Sequence, residues 1–235
     1  MRAFQKTVLL ALLIALAACA SGSNAILQTL HNVWGDGGDV AGPSLNPNLT
    51  YLRVSIQGRA VFLALGYTDA HPQGPIEVWY SAEKETLRIQ NGRVIGAAGV
   101  VTEWRSVSLP ALPSWAVMAK TSAPLRWVRT RDLMPGYRFG VKDNLITYPI
   151  SPPGKSQLLG IDPQSLAWFE EREDSIDRTA SQFKPASGAR DTLPPARYAV
   201  AIGNGTESVV YAEQCLAPEL CFSWQRWPAV VAGAR

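Results

Sequence analysis

Residues 86–95 read Thr-Leu-Arg-Ile-Gln-Asn-Gly-Arg-Val-Ile and decide the fold class. Two short strand-like runs, 86–90 and 93–95, flank the dipeptide Asn91-Gly92. A type I′ turn requires a positive φ at both central residues, and Asn-Gly adopts that conformation at low cost. The stretch therefore predicts an antiparallel β-hairpin with a two-residue turn.

Strand patterns continue on both sides of this hairpin, separated by Gly, Pro, Asn and Asp. They cover residues 51–56, 60–67 and 76–80 before it, and 101–107, 125–129, 137–141, 198–202, 208–212 and 222–224 after it. Many short strands divided by turn residues are typical of closed or layered antiparallel sheets. We predict a mainly β fold, an antiparallel barrel-like or sandwich domain.

Two segments predict helices within this β pattern. Apolar residues recur at helical spacing over 26–34, which indicates one short N-terminal helix. Asp162-Pro163 offers a capping residue followed by proline at the first helical position. Apolar residues at 166, 169, 176 and 183 can then share one face, with acids on the other. We predict a longer helix near 163–183.

The first residues predict the compartment. Arg2 and Lys6 precede the apolar run Val8–Ala17, whose ten residues are too short to span a bilayer as a helix. Small residues then lead directly into Cys19, the pattern called a lipobox. A short helix with a buried cysteine is the alternative, and it explains fewer of these features. We predict that residues 1–18 are a lipoprotein signal peptide, cleaved before a fatty-acylated (palmitate-bearing) Cys19.

The anchor predicts where the mature protein resides. One acyl chain gives only marginal membrane binding, whereas two or more give stable attachment. Ala20 follows the cysteine, and the absence of an acidic residue there favours the outer membrane, with the protein facing the periplasm. We predict that residues 19–48 comprise the lipidated cysteine, a tether and the short helix, and that 49–235 form the β domain.

Charge and cysteine usage narrow the classes of partner. The chain has 22 basic and 19 acidic residues; without Arg2 and Lys6 the difference is +1, which gives no argument for nucleic-acid binding. With Cys19 acylated, Cys215 and Cys221 remain in an oxidising compartment, so we predict a disulfide between them. Two buried free thiols are the alternative.

Segments between Thr50 and Gly99 carry a resemblance to a known family. They are Tyr51-Leu52-Arg53-Val54, Phe62-Leu63-Ala64-Leu65-Gly66-Tyr67, Val78-Trp79-Tyr80-Ser81-Ala82 and the run from Leu87 to Ile95. In this order they resemble the YjbF-like lipoprotein family, the group 4 capsule or exopolysaccharide lipoproteins. Arg131-Asp132-Leu133 and Tyr137-Arg138-Phe139 look like the family's middle section, whereas the C-terminal third departs from its pattern.

The resemblance implies an anchored lipoprotein that assists assembly or export of a surface polysaccharide. Its partners would be the membrane, through the lipid on Cys19, and other export proteins or the polysaccharide itself. The resemblance carries over no catalytic residue. Two alternatives stay open: an envelope ligand- or glycan-binding module unrelated to export, and a polysaccharide-modifying enzyme.

Catalytic and metal-binding patterns are sparse. The two histidines, His31 and His71, stand far apart and no Gly-x-Ser-x-Gly elbow occurs, which disfavours nucleophilic catalysis. Glycoside hydrolysis needs two opposed carboxylates, and Glu77 and Glu103 lie on separate predicted strands that only the fold could bring together. No Cys/His cluster suits zinc. We therefore predict no enzyme activity, no metal and no cofactor.

Tryptophans are the remaining candidates for ligand contact, because aromatic rings stack on sugar faces. The chain has eight of them. Most lie in strand or helix patterns that predict core positions. Trp224 and Trp227, beside the predicted disulfide, are the possible glycan contacts.

Overall fold

The computed structural model describes residues 45–174, 192–203 and 205–229. Cys19, the signal peptide and the helix predicted at 26–34 lie outside them. No helix in the described ranges is long and apolar enough to span a bilayer.

The described chain forms a closed barrel of twelve antiparallel strands in which each strand pairs with its sequence neighbours and β1 pairs with β12. The strands are β1 Tyr51–Ile56, β2 Arg59–Asp69, β3 Ile76–Tyr80, β4 Thr86–Gln90, β5 Arg93–Ala98, β6 Glu103–Ser108, β7 Leu125–Met134, β8 Arg138–Ile150, β9 Ala167–Glu173, β10 Ala196–Gly203, β11 Thr206–Ala217 and β12 Leu220–Trp227. One short helix, α1 Trp115–Met118, lies between β6 and β7, and a 3₁₀ turn spans Pro163–Ser165.

The hairpin predicted from Asn91-Gly92 is confirmed. Gln90 lies opposite Arg93 across the β4–β5 pair, and Asn91 and Gly92 have φ values of 49° and 83°. Gly92 serves a second purpose, because a Cβ there would lie 2.4 Å from a methyl of Val209 on β11. The glycine thus lets the turn pack against the opposite wall.

The prediction of a longer helix near 163–183 is wrong. Asp162 does cap a helical start, since its side chain accepts the N–H of Gln164, but the turn ends at Ser165. Residues 167–173 instead form β9 between β8 and β10. The strand is favoured because both of its faces are covered: Trp168 packs outside with Ile161 and Leu166, and Phe169 packs inside.

Strand alternation separates an inner from an outer face. Trp79, Leu87, Ala97 and Trp104 stand opposite one another across β3 to β6. The indole N–H of Trp104 donates to the carbonyl of Leu216 on β11, at 2.9 Å, which places this row inside the barrel. Alternate residues on the same strands therefore face outward.

Helix α1 closes one end of the barrel. The backbone N–H groups of Trp115 and Ala116 donate to the carboxylate of Glu207, at 3.1 and 2.7 Å. The Trp115 ring is buried, and its indole N–H donates to the carbonyl of Asn91 in the hairpin turn. The β6–β7 connection is thereby attached to both walls of the barrel.

Candidate functional site

Two arginines share one carboxylate inside the barrel. Arg131 donates to both oxygens of Asp143 at 2.6 Å, and Arg129 donates to one of them at 2.8 Å. Both guanidinium groups lie over the Trp104 ring, that of Arg129 at 4.8 Å and that of Arg131 at 4.7 Å from its centroid. Arg131 is 1% exposed, and this burial lowers the pKa of its guanidinium.

A second ion pair spans the barrel beside the first. Arg93 on β5 donates to Glu171 on β9 at 3.0 Å, and its guanidinium lies 4.2 Å from the centroid of Trp115. The hydroxyls of Thr147 and Tyr198 donate to the same carboxylate, at 3.1 and 3.2 Å. Burial, followed by the charge of Glu171, raises the pKa of Tyr198 well above the ordinary value for tyrosine.

The Arg93–Glu171 pair joins two walls of the barrel, whereas Asp143 and its two arginines lie on the adjacent strands β7 and β8. The cavity beside Arg129 and Glu171 has a volume of about 20 Å³, enough for about one water molecule. Asp143 accepts three hydrogen bonds from two guanidinium groups, and Glu171 accepts one from a guanidinium and two from hydroxyls. The arrangement is that of buried ion pairs, which need such partners to offset desolvation.

The two carboxylates named as candidates for hydrolysis have separate partners. Glu77, near the Asn91-Gly92 turn, accepts from Arg226 at 2.8 Å. Glu103, near the other end of β5, pairs with Arg105 at 3.1 Å. The described ranges contain no group of three or more His, Cys, Asp or Glu side chains that could hold a metal ion.

The predicted disulfide is confirmed: Cys215 and Cys221 are bonded across the β11–β12 turn. The two tryptophans face opposite sides of the sheet. Trp224 is 0% exposed and stands between Val54 and Ala212 inside the barrel, so a glycan at the surface has no access to it. Trp227 is half-buried and meets Phe62 edge-on, with ring centroids 5.8 Å apart.

An open cleft of about 450 Å³ lies beside the disulfide, where the 155–157 segment crosses β11 and β12. Its lining is Ser55, Gln57, Lys155, Ser156, Gln157, Pro194, Pro195, Tyr211, Glu213, Gln214, Cys215, Cys221, Phe222 and Ser223. The Tyr211 hydroxyl accepts the N–H of Gln157 at 2.9 Å and donates to Glu213 at 2.7 Å. Ser223 donates to the side-chain oxygen of Gln157 at 2.9 Å. The cleft wall thus combines apolar side chains with polar groups that are fixed by hydrogen bonds to one another.

One charged side chain of the cleft has an ion-pair partner and another has none among the described residues. Glu213 pairs with Arg197 at 3.3 Å. Burial raises the pKa of the Tyr211 hydroxyl, which keeps it protonated. Lys155 is exposed and makes no ion pair within the described part of the chain. The cleft offers hydroxyl and amide groups together with one free cation.

Sequence reasoning missed this cleft. Its residues come from five separate stretches of the chain, and Lys155–Gln157 belong to an irregular connection with no motif. The one usable signal was the cysteine pair, which marks the cleft's rim.

No protein-family model and no curated protein matches the chain. Among solved structures, the hypothetical lipoprotein YmcC from Escherichia coli K12 is similar to it. The two share 14% sequence identity and a TM-score of 0.51, over 78% of this chain and 85% of that one. At this identity the similarity concerns the fold, and the barrel is therefore an architecture shared with a hypothetical lipoprotein.

Proposed function

We propose that the chain is an outer-membrane lipoprotein of the YjbF-like family, anchored through Cys19 and facing the periplasm. It assists assembly or export of an exopolysaccharide or capsule by binding, without catalysis. The open cleft beside Cys215–Cys221 is the observation that carries this proposal. The anchoring is supported by the lipobox and by the fold shared with a hypothetical lipoprotein.

The mixed lining of the cleft suits a ligand such as a sugar, which presents both hydroxyl groups and apolar C–H faces. Its volume falls within the range of about 300–1,000 Å³ common for ligand sites. Sugar hydroxyls both donate and accept hydrogen bonds, and the Gln157 and Ser223 side chains provide groups of both kinds. The filled interior leaves the outside of the barrel as the place for such contacts.

The export role is tested by deleting the gene in its host, under conditions where the polysaccharide is made. We expect loss of surface polymer, restored by the wild-type gene and not by Cys19→Ala, because the unacylated protein has no anchor. Polymer at the wild-type level in the deletion strain would refute the export role.

The cleft is tested in the same strain with Lys155→Glu, which inverts its free cation. Lys142→Glu is the matched control, since Lys142 is also exposed but lies on β8, away from the cleft. We expect reduced surface polymer for the first variant and a normal amount for the second, at equal protein levels. Equal polymer in the two strains would exclude the cleft from this function.

A further inference from the structure

The outer face of β2 to β5 carries an arrangement that neither the cleft nor the interior uses. Tyr67, Val78, Arg88 and Gly96 stand opposite one another in a row across these four strands. Tyr80 heads the next row and faces the same way. These side chains alternate with the interior row of Trp79 and its neighbours; Val78 is buried against Ile76 and Ile95, whereas Tyr67 and Tyr80 are exposed.

Two tyrosines form an exposed aromatic surface at one side of this row. Tyr67 is 50% exposed and Tyr80 is 38% exposed, with ring centroids 6.4 Å apart. A Cβ at Gly66 would lie 2.5 Å from the Tyr80 ring, so the glycine allows that ring to lie flat against the strand. The hydrogen bond between the Tyr67 hydroxyl and Tyr80 favours the protonated form of Tyr67 and raises its pKa.

Arg88 provides an uncompensated cation beside the tyrosines. Its side chain extends over Gly96, with Cδ 3.1 Å from the point where a Cβ would be. It is half-buried, and no carboxylate pairs with it among the residues that the structure describes. It lines a surface pocket of about 130 Å³ together with Thr86 and Arg105.

The second arginine of this pocket is partly neutralised. Arg105 pairs with Glu103 at 3.1 Å, and Glu103 also accepts the N–H of Gly99. Among Tyr67, Tyr80, Arg88 and Arg105, Arg88 is therefore the cation without an ion-pair partner in the described ranges, while the exposed Asp69 places a carboxylate near Tyr67. A guanidinium with free donors binds a carboxylate in a bidentate manner, and an aromatic face packs against the C–H face of a sugar ring.

We propose that Tyr67, Tyr80, Arg88 and Arg105 form a binding platform for an acidic polysaccharide, with a uronate carboxylate on Arg88 and sugar rings on the tyrosines. The platform rests on the proposed function and deepens it, because it specifies that the polymer is negatively charged. The strands hold these side chains in place before binding, so little ordering accompanies association.

The test measures binding of oligogalacturonate to the full lipidated protein in a non-ionic detergent, by isothermal titration calorimetry. Maltooligosaccharide of equal length is the neutral comparison. We expect oligogalacturonate to bind, with affinity that falls as salt rises, and maltooligosaccharide to bind at least about tenfold more weakly.

Arg88→Met keeps the aliphatic packing over Gly96 and removes the charge. We expect it to weaken oligogalacturonate binding by about tenfold, the effect of one charge-assisted hydrogen-bond pair. Tyr80→Leu is expected to weaken binding of both sugars. Lys142→Met, which removes an exposed charge on β8, is expected to bind as the wild type does.

Two results would overturn the platform: equal affinity for the charged and neutral sugars, or wild-type affinity in Arg88→Met. The platform and the export role fail separately. Arg88-dependent binding in a protein whose deletion leaves surface polymer unchanged keeps the platform and refutes export. Loss of polymer on deletion, without oligogalacturonate binding, refutes the platform alone.

Discussion

The arginines inside the barrel differ from Arg88 outside it in what surrounds their charge. Arg93, Arg129 and Arg131 are buried, and each has a carboxylate within 3.0 Å. Arg88 reaches the surface and has no such partner in the described ranges. A buried charge without a partner is costly, whereas a surface charge is hydrated.

The buried arginines and the surface Arg88 therefore have different roles in the protein. Arg129 and Arg131 pair with Asp143 on the adjacent strand β8, whereas Arg93 on β5 reaches Glu171 on β9, 78 residues away, and so joins two walls of the barrel. Arg88 contributes little to closure and keeps its donors for a ligand. Four variants compare the packed interior with the outer face, from the largest expected effect on stability to the smallest.

Asp143→Ala should destabilise the protein by about 3–5 kcal/mol, because it leaves Arg129 and Arg131 buried without their shared carboxylate. Urea unfolding followed by tryptophan fluorescence measures the loss. Arg126→Ala, which removes the exposed partner of Asp174, is the control and should cost less than about 1 kcal/mol. Equal losses would show that the interior pair has no special role.

Gly92→Ala should cost about 2–4 kcal/mol, since a Cβ combines an unfavourable positive φ with overlap onto Val209. Gly58→Ala is the matched control, because Gly58 has a nearly equal φ, 81°, and open space around it. Its cost should stay near 1–2 kcal/mol. If the two variants unfold at the same urea concentration, contact between the hairpin turn and β11 contributes nothing.

Stability should fall as pH rises above about 10, where tyrosines of the unfolded chain ionise. The folded pKa of Tyr198 is raised, so the native state keeps its proton while the unfolded state loses it. The slope for one such group is at most about 1.4 kcal/mol per pH unit. Unfolding free energies from pH 8 to 11 should show a shallower slope in Tyr198→Phe than in Tyr137→Phe, which changes an exposed ring.

Arg88→Met should change stability by less than about 0.5 kcal/mol, the range usual for surface positions. Thermal unfolding alongside the wild type measures this. A loss above about 1 kcal/mol would mean that Arg88 supports the fold, and the contrast with the interior arginines would disappear.

Local signals predicted local structure well. The two-residue turn at Asn91-Gly92 follows from the conformational freedom of those residues, and the Cys215–Cys221 bond was predicted from the two cysteines left once Cys19 is acylated. Asp162 caps a helical turn as predicted. The helix beyond it fails because β8 and β10 provide backbone partners on both sides of 167–173, which the periodicity of one segment does not reveal.

Burial was harder to predict, because it depends on what covers each face. The acidic Glu171 is inside, where Arg93 meets it from 78 residues away. Trp168 is buried on the outer face, where the segment before β9 covers it. Trp224 faces the interior, whereas the exposed pair Tyr67 and Tyr80 gave no signal in the sequence.

The sequence by itself determined the β character and the central hairpin, because each depends on a few adjacent residues; the secretory and lipidation signals at Cys19 stay predictions from the sequence. Only the tertiary structure decided which charges are paired inside and which surfaces stay open. Barrel closure brings distant strands into contact and divides alternating side chains between an inner and an outer face. That division leaves the cleft beside the disulfide and the surface around Arg88 open to solvent.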